Sequence, residues 1–252
     1  MKIAIIGYGK MGRIIENIAL QRGHDIVSII DVDNHADINS DAFRSADVAI
    51  EFTTPSTAET NCREAMAQGV PVVSGSTGWS DGIERLKPEC DATGATLMWS
   101  SNYSLGVNLF FAINRYVTAV MSRFSQYTPS LNEIHHIHKL DHPSGTAITL
   151  AQQIIEGDQA LSSWTEEIQD KTDDTLLITH QRQGEVPGTH AITWDSPVDT
   201  VTIEHRAKSR EGFALGAVMA AEWIQGRRGF FTMDDMMHSI LPAKLFDIAS
   251  EK

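Results

Sequence analysis

The sequence predicts an α/β protein: a parallel sheet with helices on both faces, followed by an α+β domain. Three observations carry this. Short apolar runs alternate with helix-spaced segments over the first hundred residues, as strands buried on both faces do. The pattern changes after Asn102, where later segments alternate apolar and polar residues like a sheet with one wet face. The chain has 252 residues, 42% hydrophobic and 21% charged, enough for one large core or two smaller ones.

In order, Lys2 to Ile6 reads as a buried strand, and Met11 to Gln21 as a helix with Ile14, Ile15, Ile18 and Ala19 on one side. Gly23 ends that helix and Ile26 to Ile30 is the second strand. Asp47 to Phe52, Val70 to Ser74 and Ala95 to Trp99 are further strands, separated by helices over Thr57 to Gln68 and around Ile83 to Leu86. Gly106 to Ser122 is a long apolar helix, Leu131 to Leu140 is extended, and a helix follows from about Ser144 to Ile155. The polar stretch 156–174 reads as loop or weak helix. Thr175 to His180, Ala191 to Trp194 and Thr200 to Arg206 read as mutually paired strands, and Phe213 to Gln225 as a closing helix.

The formal net charge is −13, so nucleic acid and anionic membrane are not expected partners. No apolar run approaches a membrane span, and the run in MKIAIIGYG is too short for a secretory signal; a cytoplasmic protein is expected. Cys62 and Cys90 do not make a disulfide framework and read as buried, inert thiols.

"GYGKMG" places Gly7, Gly9 and Gly12 between a strand and a helix, the context a G-x-G-x-x-G loop needs to bind a dinucleotide. Gly7 permits the tight turn, Gly9 lets the backbone approach a pyrophosphate, and Gly12 lets the helix pack closely. The phosphates then meet the positive end of the helix, with Lys10 and Met11 in the loop beside them. Asp31 closes the second strand, about 20 residues on, where a carboxylate accepts the ribose hydroxyls. No Arg or Lys stands near Asp31 and Asp33 to meet a 2′-phosphate, so NADH is expected over NADPH, with His35 able to soften the preference if protonated. The small polar loops "GSTG" (Gly75, Ser76, Thr77) and "SSNYS" (Ser100, Ser101, Asn102, Tyr103) each follow a strand, where ligands of such sheets bind.

"EIHHIHKLDHPSGTA" (Glu133 to Ala147) concentrates histidine, lysine and acid. Three readings compete. A metal could take His135, His136, His138, Asp141 and His142, but His135 and His136 point to opposite sides of an extended chain, and no metal site is expected. A solvated turn before a helix is the second reading. The third is proton transfer beside an anion cradle. His135 and Lys139 share a side of a strand about 13 Å apart, and serve one small substrate only if the chain curls near Leu140, as Pro143 and Gly145 imply. The amides of Ser144, Gly145 and Thr146 would then hold a carboxylate at a helix start, and a histidine can give a proton at neutral pH. The glycine loop upstream favours this third reading.

"HHIHKLDHPSGTA" closely resembles the signature of the 4-hydroxy-tetrahydrodipicolinate (dihydrodipicolinate) reductase family. "GYGKMGR", "FTTP", "GSTG", "SSNYSLGVN", "VPGTHAI", "HRAKSR" and "FFTMDDM" are similar to that family in order along most of the chain. The resemblance implies a Rossmann-type dinucleotide-binding domain over 1–104 and 211–252, and a substrate-binding and oligomerisation domain over 105–210. It implies His135 as proton donor and acceptor, Lys139 as a second proton donor, and His136, Gly145, Thr146 and Arg210 around a small dicarboxylate, beside the Ser144 donor read above. Gly75 to Thr77 and Ser100 to Tyr103 would line an NADH or NADPH cofactor, and a homotetramer is implied. The glycine loop is one residue shorter than in many members, and the stretch between "VPGTHAI" and "HRAKSR" lacks their "GEH" segment. The alternatives are another two-domain NAD(P) dehydrogenase and a non-catalytic NAD(H) sensor.

Overall fold

The computed structural model describes residues 1–242. One compact unit is built from Met1–Leu105 and Glu211–Ser239; the other comprises Gly106–Arg210 and the described residues from Ile240 on. Residues 243–252, placed by the sequence with the first domain, lie outside the described residues.

The first unit runs β1 (Lys2–Ile6), α1 (Lys10–Gln21), β2 (Asp25–Ile30), α2 (Asp41–Arg44), β3 (Val48–Glu51), α3 (Pro55–Ala67), β4 (Val72–Ser74), α4 (Ser80–Thr93) and β5 (Thr96–Trp99). The second runs α5 (Leu105–Met121, its first residue in the first unit), β6 (Thr128–His135), α6 (Gly145–Gly157), β7 (Ser163–Thr165), β8 (Thr175–Arg182), β9 (Thr189–Asp195) and β10 (Thr200–Arg206). The chain returns through α7 (Glu211–Ile224), β11 (Gly229–Phe231) and α8 (Met233–Ile240).

In the first unit the sheet order is β11-β5-β4-β3-β1-β2, with every pair parallel. This is the doubly wound arrangement the apolar runs predict. The chain steps from β1 to β2 on one side and returns to β3 on the other, so a crevice opens at the carboxyl ends of β1 and β3. Pro55 starts α3, where its missing N–H costs nothing. Small residues let α7 lie close: a Cβ on Gly216 would stand 1.7 Å from the Tyr103 carbonyl oxygen. Cys62 and Cys90 are free and wholly buried in this core, and burial pushes the Cys62 thiol well up from its ordinary pKa.

The second unit has the sheet β10-β9-β6-β8-β7. β6 lies antiparallel to β9 and parallel to β8. Along β6 the buried positions alternate, so Leu131, Glu133 and His135 share the inner face. That face packs on α6, where Ala147, Leu150, Ala151 and Ile154 meet Leu176, Ile178, Ile192 and Trp194. No helix among the described residues is long and apolar enough to cross a membrane.

Three stretches differ from expectation. The extended segment ends at His135, and residues 137–138 already form a turn closed by the Lys139 N–H on the His136 carbonyl (3.2 Å). Within 156–174 lie β7 and a 3₁₀ turn, Ile168–Asp170, both too short to produce a readable period. Past Gln225, β11 extends the sheet beside β5, and Thr232 with Asp235 forms a capping box at the start of α8.

Candidate functional site

The first unit builds an open cradle from backbone. β1 feeds Gly7 at φ +92°, where a Cβ would stand 2.2 Å from the Phe52 carbonyl oxygen. Gly12 opposes the Gly7 carbonyl oxygen at the same distance, 2.2 Å, so the helix rests on the turn itself. Around Gly9 a Cβ would meet nothing within 4 Å. No side chain caps α1 and no acid sits in its first turn, so its leading N–H groups are open to an anion. A cavity of 300 Å³ lies along this loop, lined by Gly7, Tyr8, Gly9, Asp31, Val32 and Thr53 among others, none of them Lys or Arg. Asp31 is exposed at the end of β2, and Lys10 is exposed at the start of α1. Met11 is half-buried. These residues fit a nicotinamide dinucleotide: glycine where the backbone must be approached, an open helix start, and a carboxylate at ribose distance along the chain.

The two polar loops are more structural than their sequences imply. Gly75 packs against the Phe52 ring, which an added Cβ would strike at 2.1 Å. Ser76 is buried; its hydroxyl donates to Glu51 (2.8 Å) and accepts from the Thr53 N–H (2.8 Å). Tyr103 is buried too, with its hydroxyl 3.1 Å from the Ser74 carbonyl and 3.0 Å from that of Met98. Ser100 and Asn102 close a local turn through the Ser100 hydroxyl. Thr77 and Ser101 are the exposed members. Behind these loops Glu51 is wholly buried and accepts from Ser74 (2.5 Å), Ser76 and the Thr53 N–H and hydroxyl. One carboxylate thereby ties the loop after β3 to the end of β4 and the first of these loops.

In the second unit a row of ionisable side chains crosses the inner face of the sheet. Register pairs His205 with His190, His190 with Glu133, and Glu133 with His180. Glu133 is wholly buried. It accepts the Ser144 N–H (3.1 Å) and both Arg182 Nη groups (3.4 Å), and lies 3.5 Å from His135 Nδ1 and 3.7 Å from His190 Nε2. Burial alone would raise its carboxyl; the His190 ring nearby and the Ser144 N–H, with His135 beyond them, outweigh it and hold the pKa at about 2. His135 is shifted the other way. Burial first, then His190, Lys139 and Arg182, outweigh Glu133 and push its pKa down to about 4.

Around this row the predicted residues take distinct places. Lys139 follows the turn, belongs to the charge environment of His135, and is held by Asp141 at 2.8 and 2.9 Å. Ser144 is engaged on three sides: its N–H by Glu133, its hydroxyl by His190 (3.1 Å) and by the Ala147 N–H (3.2 Å). Of the expected amide cradle this leaves the N–H groups of Gly145 and Thr146, at an exposed helix start where a Cβ on Gly145 would meet nothing within 4 Å. His136 is half-buried with Nδ1 unpartnered. Arg210 is exposed at the end of the second unit.

The two shifted groups make the protein acid-sensitive. Glu133, depressed from 4.5, adds stability above that pH that is lost as pH falls toward 2. His135, depressed from 6.5, is kept neutral by the fold while the unfolded chain gains a proton, so its contribution is lost between pH 6.5 and 4. At about 1.4 kcal/mol per pKa unit, the His135 share is on the order of 3 kcal/mol. Thermal unfolding is expected to drop by roughly 6–12 °C from pH 7 to pH 4 through this group. A His135→Gln variant with the same drop would show that the imidazole is not its source.

Two family models match the chain in tandem, dihydrodipicolinate reductase N-terminus over residues 1–103 and dihydrodipicolinate reductase C-terminus over residues 106–237. The chain belongs to the dihydrodipicolinate reductase family. A 4-hydroxy-tetrahydrodipicolinate reductase from Christiangramia forsetii is 43% identical over 242 residues, covering 95% of this chain and 99% of its own. Another, from Archaeoglobus fulgidus, is 34% identical and covers 94% and 100%. Among solved structures, a dipicolinate-bound dihydrodipicolinate reductase from Paenisporosarcina sp. TG-14 shares the fold, with TM-score 0.76 over 96% of this chain and 99% of its own at 18% identity. Dihydrodipicolinate reductases are NAD(P)H-dependent oxidoreductases.

Glu133, Arg182 and His190 escape a sequence reading directed at the histidine run of this dihydrodipicolinate reductase signature. A signal for Glu133 exists: an acid at the inward position of a strand, two residues from Leu131 and two from His135. Among the described residues, two groups bring three nitrogen and oxygen donors within 4.8 Å of one another: Glu133, His135 and His190, and the more exposed His142, Glu166 and His180. In the first, the Glu133 oxygens already accept from Ser144 and Arg182. In the second, Glu166 pairs with both histidines at 3.0 and 2.9 Å. His136 and His138 belong to neither.

Proposed function

We propose that this protein reduces 4-hydroxy-tetrahydrodipicolinate to tetrahydrodipicolinate in the cytoplasmic diaminopimelate route to lysine, with NADH preferred and NADPH accepted. The observation that carries this is one neighbourhood in the second unit: a histidine, a lysine and a pair of open amides at a helix start. A bound reduced dinucleotide would supply the hydride, to the ring carbon from which the 4-hydroxyl leaves as water. The chain's own residues do the rest. Gly145 and Thr146 N–H groups take one substrate carboxylate, with His136 and Arg210 adding donors. Lys139, released from Asp141, meets negative charge on the substrate, and His135 gives a proton to the ring carbon next to the one reduced. Positioning and electrostatics are the protein's share of the work.

Support for NADH comes from the cradle in the first unit. Asp31 offers acceptors to two ribose hydroxyls, and the residues lining the cavity include no Lys or Arg to balance a 2′-phosphate. His35 lines the cavity as well but is held by Asn61 (3.0 Å) and Glu64 (3.4 Å). The half-buried outer face of the second sheet, where Asn132, Ile134, Ala191 and Thr193 lie, is the surface we assign to a homotetramer. The test is NADH oxidation with substrate generated from pyruvate and aspartate semialdehyde, repeated with NADPH. Light scattering at the assay concentration reads the assembly. No turnover with either dinucleotide would refute the activity, and a strong NADPH bias would refute the role given to Asp31.

A further inference from the structure

Glu133 has no part in the reaction as described, yet a wholly buried carboxylate that stays charged is expensive to keep. One ready explanation is structural: it accepts the Ser144 N–H and so pins the start of α6. That leaves the surroundings unexplained. Any uncharged acceptor would hold an N–H, but here Arg182 from β8 and His190 from β9 also converge on the carboxylate, and His135 turns Nδ1 toward it at 3.5 Å. Nδ1 is the buried ring nitrogen of His135; it completes no hydrogen bond, and the Glu133 carboxylate is the acceptor it faces. The other nitrogen, Nε2, lies over Gly188, where a Cβ would come within 3.1 Å. Glycine at this position keeps that side of the ring clear.

We infer that Glu133 is a positioning residue for proton transfer: it orients His135 with Nδ1–H toward the carboxylate and Nε2 toward the substrate, and it stabilises the imidazolium that gives up its Nε2 proton. The inference rests on the reading of His135 as the proton donor. In the step, the Nε2–H bond breaks and a C–H bond forms on the substrate. The ring is left neutral, with its proton on Nδ1 facing Glu133, and Nε2 takes a proton again from solvent. The charged and titratable groups facing His135 are Glu133 on its own strand, His190 on β9, Arg182 on β8 and Lys139 in the turn. Glu133 alone among them favours the imidazolium. Three cations or potential cations oppose it, so the carboxylate decides whether the ring can carry charge when substrate is bound.

The test is Glu133→Gln, which keeps an oxygen for the Ser144 N–H and removes the charge. The expected result is a fall in kcat at pH 7 of roughly 10- to 100-fold, the worth of a hydrogen bond to a charged group. The pKa in the kcat profile should move down and the NADH dissociation constant should not change. In a His135→Gln background the same substitution should add nothing further, because Glu133 acts through His135. An unchanged kcat profile, or an undiminished cost in the His135→Gln background, overturns the proposal and leaves only the helix-pinning role. Should Glu133→Gln fail to fold, ¹⁵N NMR of the unsubstituted protein decides: a neutral His135 protonated on Nδ1 supports the inference, and one protonated on Nε2 overturns it. Full turnover by His135→Gln alone would defeat the functional reading instead, while the tautomer still reports on Glu133.

Discussion

Replacing His135 with glutamine is expected to lower kcat by 10²- to 10⁴-fold, the usual worth of a positioned general acid. The NADH dissociation constant should not move, because the dinucleotide cradle is built from β1, α1, β2 and the loop after β3, far along the chain from β6. Glutamine approximates the size of the imidazole and can hydrogen-bond, but it cannot carry the proton. Lys139→Ala should behave differently. Lys139 is paired with Asp141; if it exchanges that partner for the substrate, as proposed, its loss should raise KM as well as lower kcat.

The pH dependence gives this prediction a second edge. In the free protein the His135 pKa lies near 4, held down by burial and by the cations around it. A bound dicarboxylate brings two negative charges into that field and favours the charged ring. The acid seen in kcat, which reports the complex, should therefore titrate at higher pH than the acid seen in kcat/KM, which reports the free enzyme. Normal turnover by both His135→Gln and Lys139→Ala would remove these residues from the chemistry.

How much of this was legible beforehand depends on the kind of signal. The parallel sheet was readable because its strands are mostly apolar and separated by helices; Lys2–Ile6 falls where the sequence puts it, and so, in the second sheet, does Thr200–Arg206. β7 and β11 were not, since three residues cannot show a period. In the second unit the histidine-lysine run was visible, but its shape was misjudged. A strand carried on to Leu140 would hold His135 and Lys139 apart, whereas the chain leaves the sheet at His135 and turns before Lys139. Ser144 was read as a free donor, and its N–H and hydroxyl are both engaged inside the protein. The reason is common to these cases: side chains from β8 and β9, remote in sequence, supply Arg182 and His190, and no local pattern announces what a neighbouring strand will bring.

The glycine loop allows a sharper separation of folding from binding than most nucleotide sites. Gly9→Ala is expected to leave the thermal unfolding temperature within a degree or two, because a Cβ there meets nothing within 4 Å. The same methyl stands where a pyrophosphate would approach the open start of α1, so NADH affinity should fall by about 100-fold, on the order of one to two charge-assisted hydrogen bonds displaced. Gly12→Ala should do the reverse first. Its Cβ would come to 2.2 Å from the Gly7 carbonyl oxygen, a backbone atom that cannot swing aside, so α1 must shift and the first unit loses stability by a few kcal/mol. Gly7→Ala adds a left-handed φ of +92° to a clash with the Phe52 carbonyl oxygen at 2.2 Å and should be the least stable of the three. Calorimetry with NADH beside a thermal melt for each variant reads both axes. If Gly9→Ala bound NADH as tightly as the unsubstituted protein, the phosphates could not lie against this loop, and the dinucleotide would have to be sought elsewhere on the first unit.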